Sequence, residues 1–185
     1  MKRARRGAFT LVELMVVLSI AAILLAAGVP GFGDMLARQQ LRTTVVDLFA
    51  AISLTRSQAI ARGGRVMLMP LDPAGIDWRR GWAVFVDRNA SISLDPGDEL
   101  IFRQGPVADG IAIDAVFSSP HPSAYLAYNG AGRSCSAGNS MAARWGSLSL
   151  TLGKQTRHIK INMLGRVRVC DPQAEPLACA GPAGD

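Results

Sequence analysis

The chain has little of what enzymes use. It carries two histidines and three cysteines in 185 residues, and 6% of its side chains are aromatic, so any core must be built mainly from aliphatics. His121 lies between Pro120 and Pro122, the setting of an exposed loop, and His158 sits in a basic stretch. No nucleophile elbow, H-E-x-x-H pair or glycine-rich phosphate loop occurs. No C-x-x-C pair or neighbouring histidine completes a zinc site. Asp87, Asn89, Asp95 and Asp98 offer oxygen ligands, but Ala90, Ser91 and Ile92 occupy ligand and turn positions, and the glycine of an EF-hand loop is missing. That segment reads as a hairpin turn closed by Asx hydrogen bonds. The sequence points away from an enzyme and implies no metal and no cofactor.

Carboxylates are absent from a long stretch. Residues 115–170 contain no Asp or Glu, yet carry Arg133, Arg144, Lys154, Arg157, Lys160, Arg166 and Arg168. Residues 72–114 hold eight carboxylates and four arginines. Such segregation predicts a basic face and a polyanionic partner. The formal charge of +6 includes Lys2, Arg3, Arg5 and Arg6 at the extreme N-terminus; without them 16 basic groups face 14 acidic ones.

Those four basic residues precede an apolar run over 9–29, broken by one carboxylate, Glu13. As a helix it would measure about 31 Å, the thickness of a bilayer's hydrocarbon core. The basic head predicts a cytoplasmic N-terminus. Ala21, Ala22, Ala26, Ala27 and Gly28 could supply the cleavage site of a secretory signal. Glu13 argues against that alternative, because an unpaired carboxylate in a membrane helix costs about 2.5–3.5 kcal/mol. A helix that finds a partner charge can carry it; a disposable signal does not need it.

The stretch Phe9-Thr10-Leu11-Val12-Glu13-Leu14 resembles the processing motif of type IV pilins and type II secretion pseudopilins. The resemblance implies a short leader removed on the cytoplasmic side by prepilin peptidase, methylation of the new N-terminus, and pairing of Glu13 with the terminal amine of a neighbouring subunit. The family usually has glycine directly before the phenylalanine; here Ala8 intervenes after Gly7. Cleavage after Ala8 makes Glu13 the fifth mature residue and Pro30 the twenty-second, both the family's usual places. Cleavage after Gly7 keeps the glycine and shifts both by one. The first is preferred, giving a leader over 1–8.

Beyond Gly33, Leu41, Val45, Leu48, Phe49, Ile52 and Ile60 recur at helical spacing, and Gly63-Gly64 is a stop signal. One helix is expected over 9–62, kinked rather than ended at Pro30, with 9–29 in the membrane. From Arg65 the period becomes that of strands, predicted at 66–70, 82–87, 99–103, 111–116, 125–128, 147–152, 157–161 and 166–170. The fold class is therefore α+β: one long N-terminal helix packed on a β-rich domain over 63–185, as in type IV pilins. The tail from Asp171 is rich in Pro, Ala and Gly and is expected to be poorly ordered at its end.

Two further segments narrow the resemblance. Residues 81–89 (GWAVFVDRN) with 95–100 (DPGDEL) look like the strand-turn-strand of GspH/FimT-type minor pilins, and 165–170 (GRVRVC) looks like the G-R-x-R ending of the FimT-like branch. In that branch the segment is associated with DNA capture in natural transformation. Arg166 and Arg168 lie on one face of a strand with Cα atoms about 6.6–7 Å apart, near the phosphate spacing of a nucleic-acid backbone. Two guanidinium forks could each hold a phosphate. Lys160 and His158 extend the patch from the preceding strand, with Lys154, Arg157 and Arg144 added to it. The expected partners are other pilin subunits, the assembly machinery, prepilin peptidase, the inner membrane and double-stranded DNA. A structural pilin or secretion pseudopilin without a nucleic-acid role is the alternative.

A domain outside the cytoplasmic membrane favours a disulfide among Cys135, Cys170 and Cys179. Cys135–Cys170 would staple the loop after Asn129 to the last strand. Cys170–Cys179 would instead close a C-terminal loop, as pilins often have. The first is expected here, leaving Cys179 over.

Overall fold

The structure is a computed structural model describing residues 10–180. Gly7, Ala8 and Phe9, where processing is expected, lie outside the described residues. The chain divides into two compact units, one ending at Ala37 and the other running from Arg38 onward.

In the first unit α1 (Leu11–Arg62) begins. Thr10 opens it: the Glu13 amide donates to Thr10 Oγ1 at 3.2 Å and the Leu14 amide to the Thr10 carbonyl at 3.2 Å. Thr-x-x-Glu is the pattern of a capping box, and the Glu13 carboxylate suits the positive end of the helix. Every side chain over 11–24 is exposed, although all but Glu13 and Ser19 are apolar. The helix continues through Pro30. Among the described residues no helix is long and apolar enough to cross a membrane.

In the second unit α1 buries Leu41, Val45, Leu48, Ile52, Thr55 and Ala59. These alternate three and four residues apart, the spacing of one helical face. Thr55 satisfies its hydroxyl on the Ala51 carbonyl at 2.7 Å. Phe49 and Ile60, expected on this stripe, stand off it and are 36% and 52% exposed. The helix stops where expected. Gly63 turns to φ +61°, its amide donates to the Ile60 carbonyl, and the Gly64 amide donates to the Ala59 carbonyl. These are the two bonds of a Schellman cap.

The strands are β1 (Val66–Pro70), β2 (Trp82–Val86), β3 (Glu99–Gln104), β4 (Ala112–Phe117), β5 (Leu126–Tyr128), β6 (Ser134–Cys135), β7 (Gly146–Leu152), β8 (Gln155–Ile161) and β9 (Val167–Cys170), followed by a short helix, α2 (Pro176–Ala180). They form two antiparallel sheets, ordered β3-β2-β1-β5-β6 and β4-β7-β8-β9. Strands occur in all eight places expected; β6 and α2 are additional. Val66, Leu68, Trp82, Val84, Leu126 and Tyr128 of the first sheet meet Ile113, Leu148, Leu150, Ile159 and Ile161 of the second, with the α1 stripe in the same core. This is the expected α+β arrangement.

The first sheet is covered on its other face as well. Met67, Met69, Ala83, Phe85 and Tyr125 are buried there, with Ile92 and Leu94 packed on them. The loop bearing Ile92 is tied down by its acids. Asp87 accepts from the Ser91 and Ile92 amides, Asp98 from the Arg88 and Asp95 amides, and Asp95 from Asn89 Nδ2 and Ser91 Oγ. These bonds hold Asp95 below the usual carboxylate range, with Ser91 the largest cause. The Asp-rich segment is thus a turn closed by its own side chains.

Candidate nucleic-acid interface

The turn between β8 and β9 is built to stand in one place. Asn162 closes it: its amide donates to the Arg166 carbonyl at 3.0 Å, its side-chain oxygen accepts from the Arg166 amide at 2.9 Å, and its carbonyl accepts from the Gly165 amide at 2.9 Å. The turn is then fastened across to the first sheet. Tyr128 OH donates to the Gly165 carbonyl at 3.2 Å, and Ser134 Oγ donates to the Asn162 carbonyl at 2.8 Å. Gly165 is at φ +77°, and a Cβ there would lie 2.3 Å from the Gly132 carbonyl oxygen and 2.7 Å from Tyr128 Cε1. The glycine of the G-R-x-R segment is a fit between two turns, and Arg166 beside it is exposed.

Pairing sets the faces of the second sheet. Lys160 pairs with Ser147 and Arg168, and His158 with Ser149 and Cys170. Arg168, Lys160 and His158 therefore share the outer face, while Val167 and Val169 share the inner one. The expected alternation across 166–170 is present, except that Arg166 precedes β9 and belongs to the turn.

The rest of the expected basic group does not come together. Arg144 is no part of an exposed face: it is 2% exposed. Its guanidinium lies 3.9 Å from the Tyr125 ring centroid and 4.4 Å from that of Phe117, and it donates to Ser119 Oγ and the Tyr125 carbonyl. Arg157 pairs with Leu150 in the row that faces the core and makes an ion pair with Asp171 at 2.7 Å. Lys154 is exposed, but in the turn between β7 and β8, at the opposite end of β8 from Arg166. Seven strand residues separate those ends, about 20 Å.

Lys160 is on the expected face but covered. It is 9% exposed and donates to the Cys179 carbonyl. Burial and then the charge of Arg168 push its pKa down, as burial and then Lys160 push down that of His158. The cover is the C-terminal tail, and here the expected disulfide is corrected. Cys170 is bonded to Cys179, with Cα atoms 5.8 Å apart, and Cys135 is free. Cys135 lies on β6 of the first sheet among Met67, Phe85 and Tyr125, whereas Cys170 ends β9 of the second sheet on its outer face. Burial pushes the Cys135 thiol up to about 11, so it stays protonated and inert.

What remains exposed at the turn includes a residue that sequence reasoning counted but did not assign. Arg133 lies between Gly132 and Ser134, and the Cβ position of Gly165 is 2.3 Å from the Gly132 carbonyl and 3.2 Å from the Ser134 amide. The backbone bearing Arg133 thus abuts the backbone bearing Arg166, and both side chains are exposed. The turn residues Asn129 and Gly132 were a signal for this bend; its contact with a turn 33 residues later was not in the local sequence. Arg133, Arg166 and Arg168 offer guanidinium donors, an arrangement suited to phosphates.

Comparison with known proteins supports the same architecture. A family profile described as "Type II transport protein GspH" matches residues 44–165, more than half of the chain, and a "Prokaryotic N-terminal methylation motif" matches residues 3–29. No curated protein sequence matches significantly. Among solved structures the chain is similar to the type IV minor pilin FimU of Pseudomonas aeruginosa, at 19% identity and a TM-score of 0.53, covering 74% of this chain and 92% of that one. It is also similar to the minor pseudopilin EpsH from the type 2 secretion system of Vibrio cholerae, at 14% identity and a TM-score of 0.51, covering 72% and 98%. At these identities the likeness establishes the fold. A methylation motif of this kind marks a membrane-anchored subunit that assembles with other pilins. An α+β domain matched by the GspH profile and preceded by that motif is what a pilus or pseudopilus subunit requires, and the chain belongs to the GspH family.

Proposed function

We propose that this minor pilin holds extracellular double-stranded DNA on the β8–β9 turn, in the service of natural transformation. The observation that carries the proposal is the wedge at Gly165, which fixes exposed Arg166 beside exposed Arg133, with Arg168 next along β9. Binding through guanidinium groups to phosphates is weak, indifferent to sequence and sensitive to salt. In the same reading residues 1–8 are a leader cut by prepilin peptidase after Ala8, and 9–29 spans the inner membrane as a single pass. The domain then lies on the periplasmic side, and Glu13 pairs with the terminal amine of the next subunit.

The test is fluorescence anisotropy of a labelled duplex with the full chain in detergent, over a range of salt. Each phosphate contact contributes about 0.9 to the slope of log K against log salt. Arg166→Gln/Arg168→Gln should therefore flatten the slope by about 1.8, with the melting temperature unchanged. Binding unaltered in that variant removes the turn as the site.

A second reading has its own support. Arg144, Arg157 and Lys160 are engaged inside the fold, which suits a subunit that helps build a type IV pilus or a type II secretion pseudopilus and binds no nucleic acid. Under that reading the duplex is not bound at low salt, while filament assembly still requires the protein.

A further inference from the structure

The second sheet has two open edges, β4 on one side and β9 on the other. The Ser118 amide donates to the Trp145 carbonyl at 2.8 Å, which fixes the alternation between β4 and β7. Asp114 and Val116 therefore bond to β7, while the amides and carbonyls of Ile113, Ala115 and Phe117 point outward. At the other edge the Asn162 amide bonds to the Arg166 carbonyl, so Lys160 and Arg168 are the next hydrogen-bonded pair. The amides and carbonyls of Val167 and Val169 there point outward too. Among the described residues none of these five amides makes a backbone bond outside the sheet. Open edges of this kind are templates for another strand. There is room for one beside β4, where clefts of about 720 and 440 Å³ are lined between them by residues 112–117 and Ile76.

The two edges complement each other. Chain direction reverses at each step from β4 through β7 and β8 to β9. Thus β9 of one copy runs antiparallel to β4 of a second copy that points the same way. Outward groups meet outward groups in two registers that use both valines. With Val167 opposite Ala115 and Val169 opposite Ile113, Arg168 stands directly opposite Asp114 on the outer face. With Val167 opposite Phe117, Arg168 stands opposite Val116 instead. The first register joins opposite charges in a non-hydrogen-bonded pair, where side chains approach most closely. Neither Asp114 nor Arg168 makes an ion pair within its own chain among the described residues. Arg79, whose cation the charge of Asp114 favours, is held by Asp77 at 2.8 Å. On the inner face Val169, 41% exposed, comes beside Ile113. Exposed Val46 and Phe49, which line a groove with Val169, then lie on the same side as exposed Ile76, which lines the cleft with Ile113.

We propose that two copies of this chain join edge to edge, β9 of one against β4 of the next, in the register that sets Arg168 against Asp114. The contact is heterologous, so a joined pair still has one free β4 edge and one free β9 edge. The free β9 edge keeps its Arg168 for a phosphate, and the proposal does not depend on nucleic-acid binding.

The first test treats Arg168→Lys, as full chain in detergent, with a water-soluble carbodiimide, which condenses a carboxylate with an amine and releases water. Within one chain residues 114 and 168 lie three strand spacings apart, about 14 Å, too far for a direct amide. Mass spectrometry should find a peptide joining Asp114 to position 168, which only two copies can form. Its absence, or a link from position 168 to other carboxylates instead, overturns the proposal. The second test follows energy transfer between copies labelled at the N-terminal amine as the protein-to-detergent ratio rises. Arg168→Asp and Asp114→Arg should each weaken association roughly tenfold, since an opposite-charge cross-strand pair becomes a like-charge one. Mixing the two variants should restore it, because each edge then meets the opposite charge. Association unchanged in the single variants, or not restored in the mixture, overturns the proposal. Circular dichroism melts check that each variant is folded, and Arg168→Lys, which keeps the charge, decides the matter if a reversal unfolds the domain.

Discussion

Replacing Gly165 by alanine tests whether the glycine beside the arginines is a structural wedge. Its φ of +77° alone costs an L-residue about 1–2 kcal/mol. The added Cβ also meets the Gly132 carbonyl oxygen at 2.3 Å and Tyr128 Cε1 at 2.7 Å. Backbone oxygen cannot swing aside as a flexible side chain can, so the two turns must part. That breaks the bonds from Tyr128 OH and Ser134 Oγ, about 1 kcal/mol each. The total is about 3–4 kcal/mol, which for a domain of this size lowers the melting temperature by roughly 6–15 °C. Gly153 is the control. It has φ +57° and nothing within 4 Å of a built Cβ, so Gly153→Ala carries only the backbone cost, about 1–2 kcal/mol. Circular dichroism melts of both variants isolate the contact as their difference. Duplex binding by folded Gly165→Ala should also fall, although no charge has changed, because Arg166 is no longer held beside Arg133. Equal melting temperatures for the two variants would refute the wedge.

Other perturbations address the groups around the turn. Arg144→Ala removes a buried cation stacked on Tyr125 and leaves the Tyr125 carbonyl without its donor, so urea unfolding should show a loss of about 3–5 kcal/mol. Duplex binding by the folded variant should be unchanged. Cys170→Ser/Cys179→Ser opens a short loop worth about 2.5 kcal/mol in chain entropy. It should also raise duplex affinity at low salt by releasing the tail from Lys160; equal affinity of oxidised protein and variant would show that the tail covers nothing of consequence. His158 is held below its ordinary 6.5 by burial and by Lys160. Above that value His158 is neutral in both folded and unfolded chains and adds no pH dependence. As pH falls below 6.5 the unfolded chain takes the proton first, so stability declines until the folded histidine also protonates. His158→Gln should flatten that decline in melts between pH 7 and about 5.

The parts of the fold legible in the sequence are those with strong local periodicity. The α1 stripe and the Gly63-Gly64 stop follow from helical spacing, and the eight expected strands follow from short apolar runs between turn residues. β6 is two residues long and gives no period to detect. Phe49 and Ile60 were misplaced because a helical stripe is wide, and only the packing partner decides which of its margins is covered. The cysteine pairing was open in the sequence because it depends on which sheet each strand joins. Cys135 entered the sheet that β9 did not, which leaves a short closure of nine residues as the bond that forms. The basic group was legible as composition and not as a surface. Spacing told which residues share a strand face, but burial of Arg144 by aromatic rings and of Lys160 by the tail arises from residues far off in sequence.

The charge segregation survives folding in another form. On the outer face of the second sheet one row runs Asp114, Ser149, His158, Cys170 from β4 to β9, and the next runs Val116, Ser147, Lys160, Arg168. Acid thus stands at the β4 edge and base at the β9 edge, so an anionic polymer is drawn to the β9 side. The Asp-rich turn belongs to the first sheet, between β2 and β3, where Asp87 and Asp98 accept from backbone amides and Asp95 from side chains of the same loop. Acid-free sequence from 115 to 170 supplies β7, β8, β9 and the two abutting turns that carry Arg133 and Arg166. A carboxylate introduced at either turn would sit within reach of those guanidinium groups and compete for them as an internal ion pair. Its absence leaves the arginines exposed for a partner, while Asp171, just beyond the acid-free stretch, takes Arg157 at the other end of β8. The stretch without acid therefore coincides with the two abutting turns on which Arg133 and Arg166 stand exposed, and this connects a compositional gap to a basic patch.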